Sequence, residues 1–308
     1  MASRRALVAV GPDTAIIDWE AASAAFLQRA LSPGTKRVYA LTLAAVGHHV
    51  RSAPLAALGR ADLALAVAAA YPNAAPATWN RVVATVRSFI SFTVRMGWAD
   101  ERLADGLERR RVPEEHGRSL SRDDLERLFT KRDVAIRDRA LWRLLYETGA
   151  RAEEVLRLNI EDVDLAKKRA YTVRKGGDRD VLHFQTASAR LLPKVIDGRT
   201  RGPVFLSSRA GPASRAVAVN DLCATTGRAR LSYRRAAEVF GDASGGHTLH
   251  QLRHSAITHL AESGVPLPLL MAKSRHASLR TLQRYARPGV EAVAAMTADH
   301  DPAARRRA

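Results

Sequence analysis

The chain has 308 residues, a net charge of +18 and a sequence pI near 11.0, a balance that implies a polyanionic partner, with nucleic acid the first candidate. At 46% hydrophobic and 26% charged it carries enough apolar material for folded cores, which excludes a disordered chain. A single cysteine, Cys223, excludes an internal disulfide and a cysteine-rich zinc module, and no apolar run reaches the roughly 18 residues of a membrane span.

Taken in chain order, the first segment has Arg4 and Arg5 followed by only a short apolar run before Gly11 and Pro12, so no signal peptide is expected. Thr35 to Val50 is predicted helical, opened by Ser32-Pro33-Gly34, with Val38, Tyr39, Leu41, Leu43 and Val46 as its apolar face. The Ala-rich stretch from Leu55 to Ala70 is interrupted by Arg60 and Asp62 and reads as a helix of a water-soluble fold. Ala77 to Trp98 repeats the helical spacing with Trp79, Val82, Val83, Val86, Phe89, Ile90 and Phe92. No alternating pattern of the strand kind occurs here. Residues 1–111 therefore read as a helical domain, with Lys36, Arg37, Arg81 and Arg87 on basic outer faces available to a polyanion.

Residues 112–120 read as a linker. They lie inside "ERRRVPEEHGRSLSRDD", where charge is dense and Pro113 and Gly117 interrupt any helix. Ser121 before Asp123-Asp124 signals a new helix start. Asp138 to Thr148 is an apolar helix ending at Gly149. Ile160 to Leu165, Ala170 to Val173 and Val181 to Phe184 are β-prone, the last two joined by the turn "RKGGDRD", which predicts a small antiparallel sheet. From Ala187 onward helices are expected to dominate. The fold class that follows is mainly α, with a small antiparallel sheet in a second domain spanning residues 121–308. Both domains are basic: net +6 over 1–111 and +12 over 112–308.

"HQLRH", residues 250–254, has two histidines at the spacing of a zinc-protease helix, but Gln251 stands where the catalytic glutamate belongs, and a neutral amide cannot take a proton from water. Arg253 is the more informative residue, since it shares a helical face with His250 at i, i+3. The segments "TGARAEEVLRL" (148–158), "RKGGDRDV" (174–181), "HQLRH", "SRHAS" (274–278) and "LQRYARPG" (282–289) resemble, in order and spacing, the catalytic boxes of the tyrosine recombinase (phage integrase) family, whose Xer-type and integron- or phage-type single-chain members they resemble alike. The resemblance runs over essentially the whole chain.

That resemblance implies a two-domain DNA clamp: a helical core-binding domain before a mixed α+β catalytic domain with a C-terminal tail helix. It implies site-specific cleavage and rejoining of DNA through a 3′-phosphotyrosyl intermediate, with no cofactor, metal or ATP. Arg151 and Arg253 match the family's phosphate-clamping arginines, His250 and His276 its phosphate-binding histidines, Lys175 the lysine that protonates the leaving 5′ oxygen, and Tyr285 the nucleophile. Glu154 matches an acidic buttress. The implied partners are double-stranded DNA bearing a specific site and three further protomers, of this chain or a related recombinase, in a cytoplasmic, nucleoid-associated protein of a prokaryote. One departure stands out: the family has Leu-Gly-His where this chain has Ser274-Arg275-His276. Two other readings are open from the residues. Residues 264–286 resemble a helix-turn-helix that would carry Arg280 and Arg284 into a major groove without catalysis. A type IB topoisomerase would use the same arginine, lysine and tyrosine chemistry.

Overall fold

The computed structural model describes residues 17–50, 54–113, 119–173, 179–208, 218–275, 282 and 297–298. The chain divides into two compact units, Met1–Glu114 and Glu115–Ala308. Among the described residues no helix is long and apolar enough to cross a membrane.

The described part of the first unit is helical: α1 (Trp19–Leu27), α2 (Pro33–Gly47), α3 (Arg60–Ala70) and α4 (Pro76–Arg95). Local chemistry sets the starts. Asp18 and Ser32 accept the backbone N–H groups of Ala21 and Thr35, and prolines occupy the first turns of α2 and α4, where a missing N–H leaves nothing unpaired. The interior is aromatic, with Phe89 set edge-on to Trp19 at 4.8 Å and to Phe26 at 5.5 Å. Beyond α4 the chain folds back along it. Trp79 donates its indole N–H to the Glu108 carbonyl at 2.8 Å, Arg110 lies 3.8 Å over the Trp79 ring, and the Asn80 amide pairs with the Arg110 backbone in both directions.

Two expectations for this unit need correction. Val38 and Leu41 are exposed, at 39% and 63%; the face of α2 that turns inward is Tyr39, Thr42, Leu43 and Val46, at i, i+3, i+4 and i+7. A buried threonine, Thr42, thus belongs to a face that the apolar residues alone did not mark out. The Ala-rich stretch is also not one helix: Leu55–Ala57 is a 3₁₀ turn, and α3 begins only after Gly59.

The second unit contains α5 (Arg122–Thr130), α6 (Ile136–Thr148), α7 (Ala152–Leu156), β1 (Val163–Asp164), β2 (Arg169–Val173), β3 (Arg179–His183), α8 (Thr186–Ile196), α9 (Tyr233–Ser244), α10 (Leu249–Glu262) and α11 (Leu267–Ser274). The strands form an antiparallel sheet in the order β1-β2-β3, with Val163 opposite Ala170 and Tyr171 opposite Val181. Ile160–Asp162, expected to be strand, is a 3₁₀ turn leading into a two-residue β1. The core is built around α6, which packs on α8 and α10. Trp142 is fully buried and meets Phe240 of α9 edge-on at 5.2 Å.

Helices do not dominate everything after Ala187. Between α8 and α9 the described residues are irregular, apart from a 3₁₀ turn at Val219–Asp221 and isolated bridges. Two guanidinium groups, one buried and one half-buried, hold this region in place of a ladder. Arg199 donates to the carbonyls of Val195, Ile196, Pro203 and Val204. Arg230 donates to those of Leu156 and Leu158 and pairs with Asp221 at 2.7 Å.

Candidate active site

The site starts where α6 stops. Gly149 caps the helix in the left-handed conformation, φ 60°, which a glycine adopts without steric penalty, and the chain reverses into Ala150 and Arg151. Arg151 is the N-cap of α7 with extended backbone. Its N–H donates to Glu154 Oε2 and its Nη1 to Glu154 Oε1, both at 3.0 Å. The Arg151 side chain is 54% exposed, so its guanidinium is anchored at one edge and open to solvent.

Arg253 sits beneath this turn. It is only 2% exposed, and it donates from Nη1 to the Gly149 carbonyl at 2.6 Å and from Nη2 to the Ser274 carbonyl at 2.7 Å. One buried cation thereby joins the turn before Arg151 to the end of α11, the residue before Arg275. Arg275 in turn donates from Nη2 to Glu154 Oε2 at 2.7 Å, and its Nε lies 3.3 Å from Asp180 Oδ2 at the start of β3. Segments distant in the sequence, "TGARAEE", the start of β3, "HQLRH" and Ser274-Arg275, are drawn into one cluster.

The electrostatics follow from this packing. Burial pushes the Glu154 pKa upward, but the charge of Arg275 and the two hydrogen bonds from Arg151 outweigh it and hold the carboxyl below its ordinary range. Burial draws Arg275 down, opposed by Glu154 and Asp180. Lys273, two residues earlier, is lowered to about 8 by burial and by the charge of Arg275, with Glu147 opposing; its Nζ donates to the His183 carbonyl at 2.7 Å.

His250 is exposed in the first turn of α10, while Arg253, three residues on, points inward. Gln251 acts through its side-chain oxygen, which accepts the Thr248 backbone N–H at 2.7 Å in a capping box that starts α10. Among the described residues no group of three or more His, Cys, Asp or Glu side chains is disposed to hold a metal ion. Lys175, His276, Arg280, Arg284 and Tyr285, the β2–β3 hairpin tip, the second helix of the helix-turn-helix reading and the tail helix lie outside the described residues. In the first unit Lys36, Arg37, Arg81 and Arg87 are all exposed, and Arg87 also donates to the Leu107 carbonyl at 2.8 Å. Asp180 escaped the sequence reading, since nothing local separates it from the other charged residues of the hairpin.

Comparison with known proteins follows the same division. Residues 24–97 match the phage integrase N-terminal SAM-like domain and residues 118–291 the Phage integrase family. The chain is 32% identical over 287 residues to the tyrosine recombinase XerD of Mycobacterium leprae, covering 85% of this chain and 84% of that one. It is 31% identical over 297 residues to the tyrosine recombinase XerC of a Mycobacterium species (strain JLS), covering 90% and 94%. Its fold is shared with a lambda integrase solved as a tetramer bound to a Holliday junction, at a TM-score of 0.68, 15% identity, and coverage of 88% of this chain and 78% of that one. With a match over more than half its length, and with relatives of this identity spanning both units, the chain belongs to the phage integrase family, the tyrosine recombinases, enzymes that cleave and rejoin DNA strands.

Proposed function

We propose that this enzyme performs site-specific recombination of double-stranded DNA, with residues 1–111 gripping the duplex, 112–120 linking, and 121–308 carrying out the chemistry. The observation that carries the reading is Arg253 tying the turn of Arg151 to the turn that precedes His276. An anionic phosphodiester resists attack until its charge is offset, and two guanidinium groups provide permanent positive charge without any proton bookkeeping. Arg151 offers an open fork, and Arg253 a buried charge beneath it. His250 and His276 would add hydrogen bonds to the non-bridging oxygens.

In this mechanism the Tyr285 phenolate attacks phosphorus, the bond to the 5′ oxygen breaks, and Lys175 supplies the proton to that oxygen. The product is a 3′-phosphotyrosyl link and a free 5′ hydroxyl. A 5′ hydroxyl from the partner strand then reverses the step. One phosphoester replaces another, so the reaction runs without ATP, and the fixed arginine charges do the neutralising that a divalent ion would otherwise do. Lys36, Arg37, Arg81 and Arg87 in the first domain, with Arg280 and Arg284 in the second, would supply phosphate contacts. Four protomers on paired sites, joined through the C-terminal tail, are the assembly in which strands can exchange, a reading supported by the fold shared with the lambda integrase tetramer. The reading places the enzyme in the cytoplasm, on the nucleoid.

The test is a duplex nicked near a site that this protein selects from a random-sequence pool, so that the cleaved end diffuses away. Wild type should trap a covalent adduct with a free 5′ hydroxyl, and Tyr285→Phe should abolish the adduct with DNA affinity nearly unchanged. An adduct that persists in the phenylalanine variant moves the nucleophile elsewhere, with the 44%-exposed Tyr233 next in line. No adduct from wild type would favour a DNA-binding module without catalysis.

A further inference from the structure

Arg275 ends α11 in the left-handed conformation, φ 56° and ψ 35°, a region that favours glycine and penalises an L side chain. Its side chain is nonetheless 3% exposed and has carboxylates from two other segments against it. A bulky cation held at a strained backbone position and buried is an arrangement that persists only where its surroundings over-determine it. Here they do: Glu154 from the first turn of α7 and Asp180 from the start of β3 both face the guanidinium.

Glu154 has two jobs at once. One carboxylate oxygen meets the Arg151 side chain, and the other accepts both the Arg151 backbone N–H and Arg275. Arg275 is the largest of the charges that keep Glu154 ionised. Consider the same turn with glycine: Glu154, which holds the Arg151 guanidinium, and Asp180 would have one positive charge fewer between them, in a place where a phosphate diester must approach. The excess negative charge would repel that phosphate, and the Glu154 carboxylate would lose its second anchor.

We propose that Arg275 is a positioning residue for strand cleavage: from its strained turn it fixes the Glu154 carboxylate that holds Arg151, ties that pair to the start of β3, and balances the two carboxylates beside the phosphate. The inference rests on the reading of Arg151 as a phosphate-binding residue. It assigns work to the position at which this chain departs from the Leu-Gly-His that the family resemblance leads one to expect, and it pairs that position with Asp180.

The experiment uses the full chain, with Arg275→Gly, Arg275→Lys and Arg275→Gly/Asp180→Asn, on the nicked duplex described above. Glycine suits the backbone, so Arg275→Gly is expected to fold. At saturating DNA its adduct formation should slow about 10- to 100-fold, the range typical of a small misplacement of a reacting group, with half-saturating DNA changed less than about twofold. Lysine should recover part of the rate by restoring charge. Adding Asp180→Asn to Arg275→Gly should also recover part, by removing the carboxylate left unbalanced. A second readout does not depend on cleavage: the carboxyl ¹³C titration of Glu154, assigned by its loss in Glu154→Gln, should move to higher pH in Arg275→Gly. An unmoved Glu154 titration overturns the proposal, because the contact is then absent. A displaced titration with wild-type cleavage also overturns it, leaving Arg275 a brace only, as does a rate loss matched by equal losses of affinity and melting temperature. Wild-type protein that forms no adduct while Glu154 still responds to Arg275→Gly overturns the recombinase reading and the positioning role with it, and leaves only the contact standing.

Discussion

Replacing Arg253 by alanine should destabilise the second unit as well as slow cleavage. The guanidinium is 2% exposed and donates to two buried carbonyls, Gly149 at 2.6 Å and Ser274 at 2.7 Å. A buried acceptor left without its donor costs about 1–3 kcal/mol, so the pair amounts to about 2–6 kcal/mol. Part of that is offset, because burying a guanidinium is itself unfavourable and the space left by alanine admits water. A net loss of about 2–4 kcal/mol remains. For a unit of this size each kcal/mol moves the midpoint by about 2–4 °C, so the melting temperature should fall by about 5–15 °C. Differential scanning calorimetry of the full chain measures this directly, with Arg253→Lys as the control that keeps the charge and can reach one carbonyl. If no transition in Arg253→Ala shifts by more than about 1 °C, the buried tie described here does not exist. Cleavage by the variant must accordingly be measured well below its lowered midpoint, where a loss of rate reports the missing charge and not unfolding.

The folded pKa of Glu154 lies below its ordinary value, so the ionised ion pair stabilises the fold above about pH 4.3 and that stability drains away as pH falls through the folded value. Glu154→Gln should melt below wild type at pH 7, with the gap closing toward pH 3; a gap constant with pH would contradict this. His259 is lowered by burial and by Arg122, and its ring accepts or donates across 2.8 Å to Tyr146, so wild type should lose stability as pH falls below about 6.5. Between pH 7 and 5 the melting temperature of His259→Gln should change less steeply than that of wild type. Phe89→Ala, which empties the centre of the first unit's aromatic cluster, should cost about 3–5 kcal/mol in urea unfolding of that unit. Adduct formation should proceed at full rate in EDTA; loss on chelation with recovery in magnesium would refute the arginine-based neutralisation of the phosphate.

What could be read in advance was what short-range chemistry dictates. Ser121 caps the helix it was expected to cap, Ser32-Pro33-Gly34 opens α2, Gly149 ends α6, and β2 pairs antiparallel with β3. The gathering of the arginine, histidine-arginine and "SRH" segments was legible only as a resemblance, since nothing in their local sequence brings residues so far apart into contact. The direction of Arg253 was not legible at all. A spacing of three residues puts His250 and Arg253 about 60° apart around a helix, close enough to share a face, yet it does not say which of them turns into the protein. Arg275 escaped for a related reason. Its turn lacks the glycine of the family pattern, and the compensation comes from Glu154, 121 residues away, and from Asp180. On α2 the apolar letters alone misled, because the buried face includes the threonine at 42 and leaves Val38 and Leu41 outside.

The guanidinium groups inside the second unit divide the chain's arginines into two populations. Those on the outer faces could be exchanged for lysine one at a time with little effect on the fold, since a solvated charge of either kind serves. Arg199, Arg230 and Arg253 could not, because each reaches several acceptors at once from a rigid planar fork, and a lysine ammonium on one flexible stem cannot span them. Sequence drift between the two basic amino acids should therefore be free over most of this protein and frozen at these positions. The same partition bears on salt: charges sequestered among carbonyls and carboxylates release no counterions, so the salt dependence of any polyanion binding should be shallower than a net charge of +18 suggests.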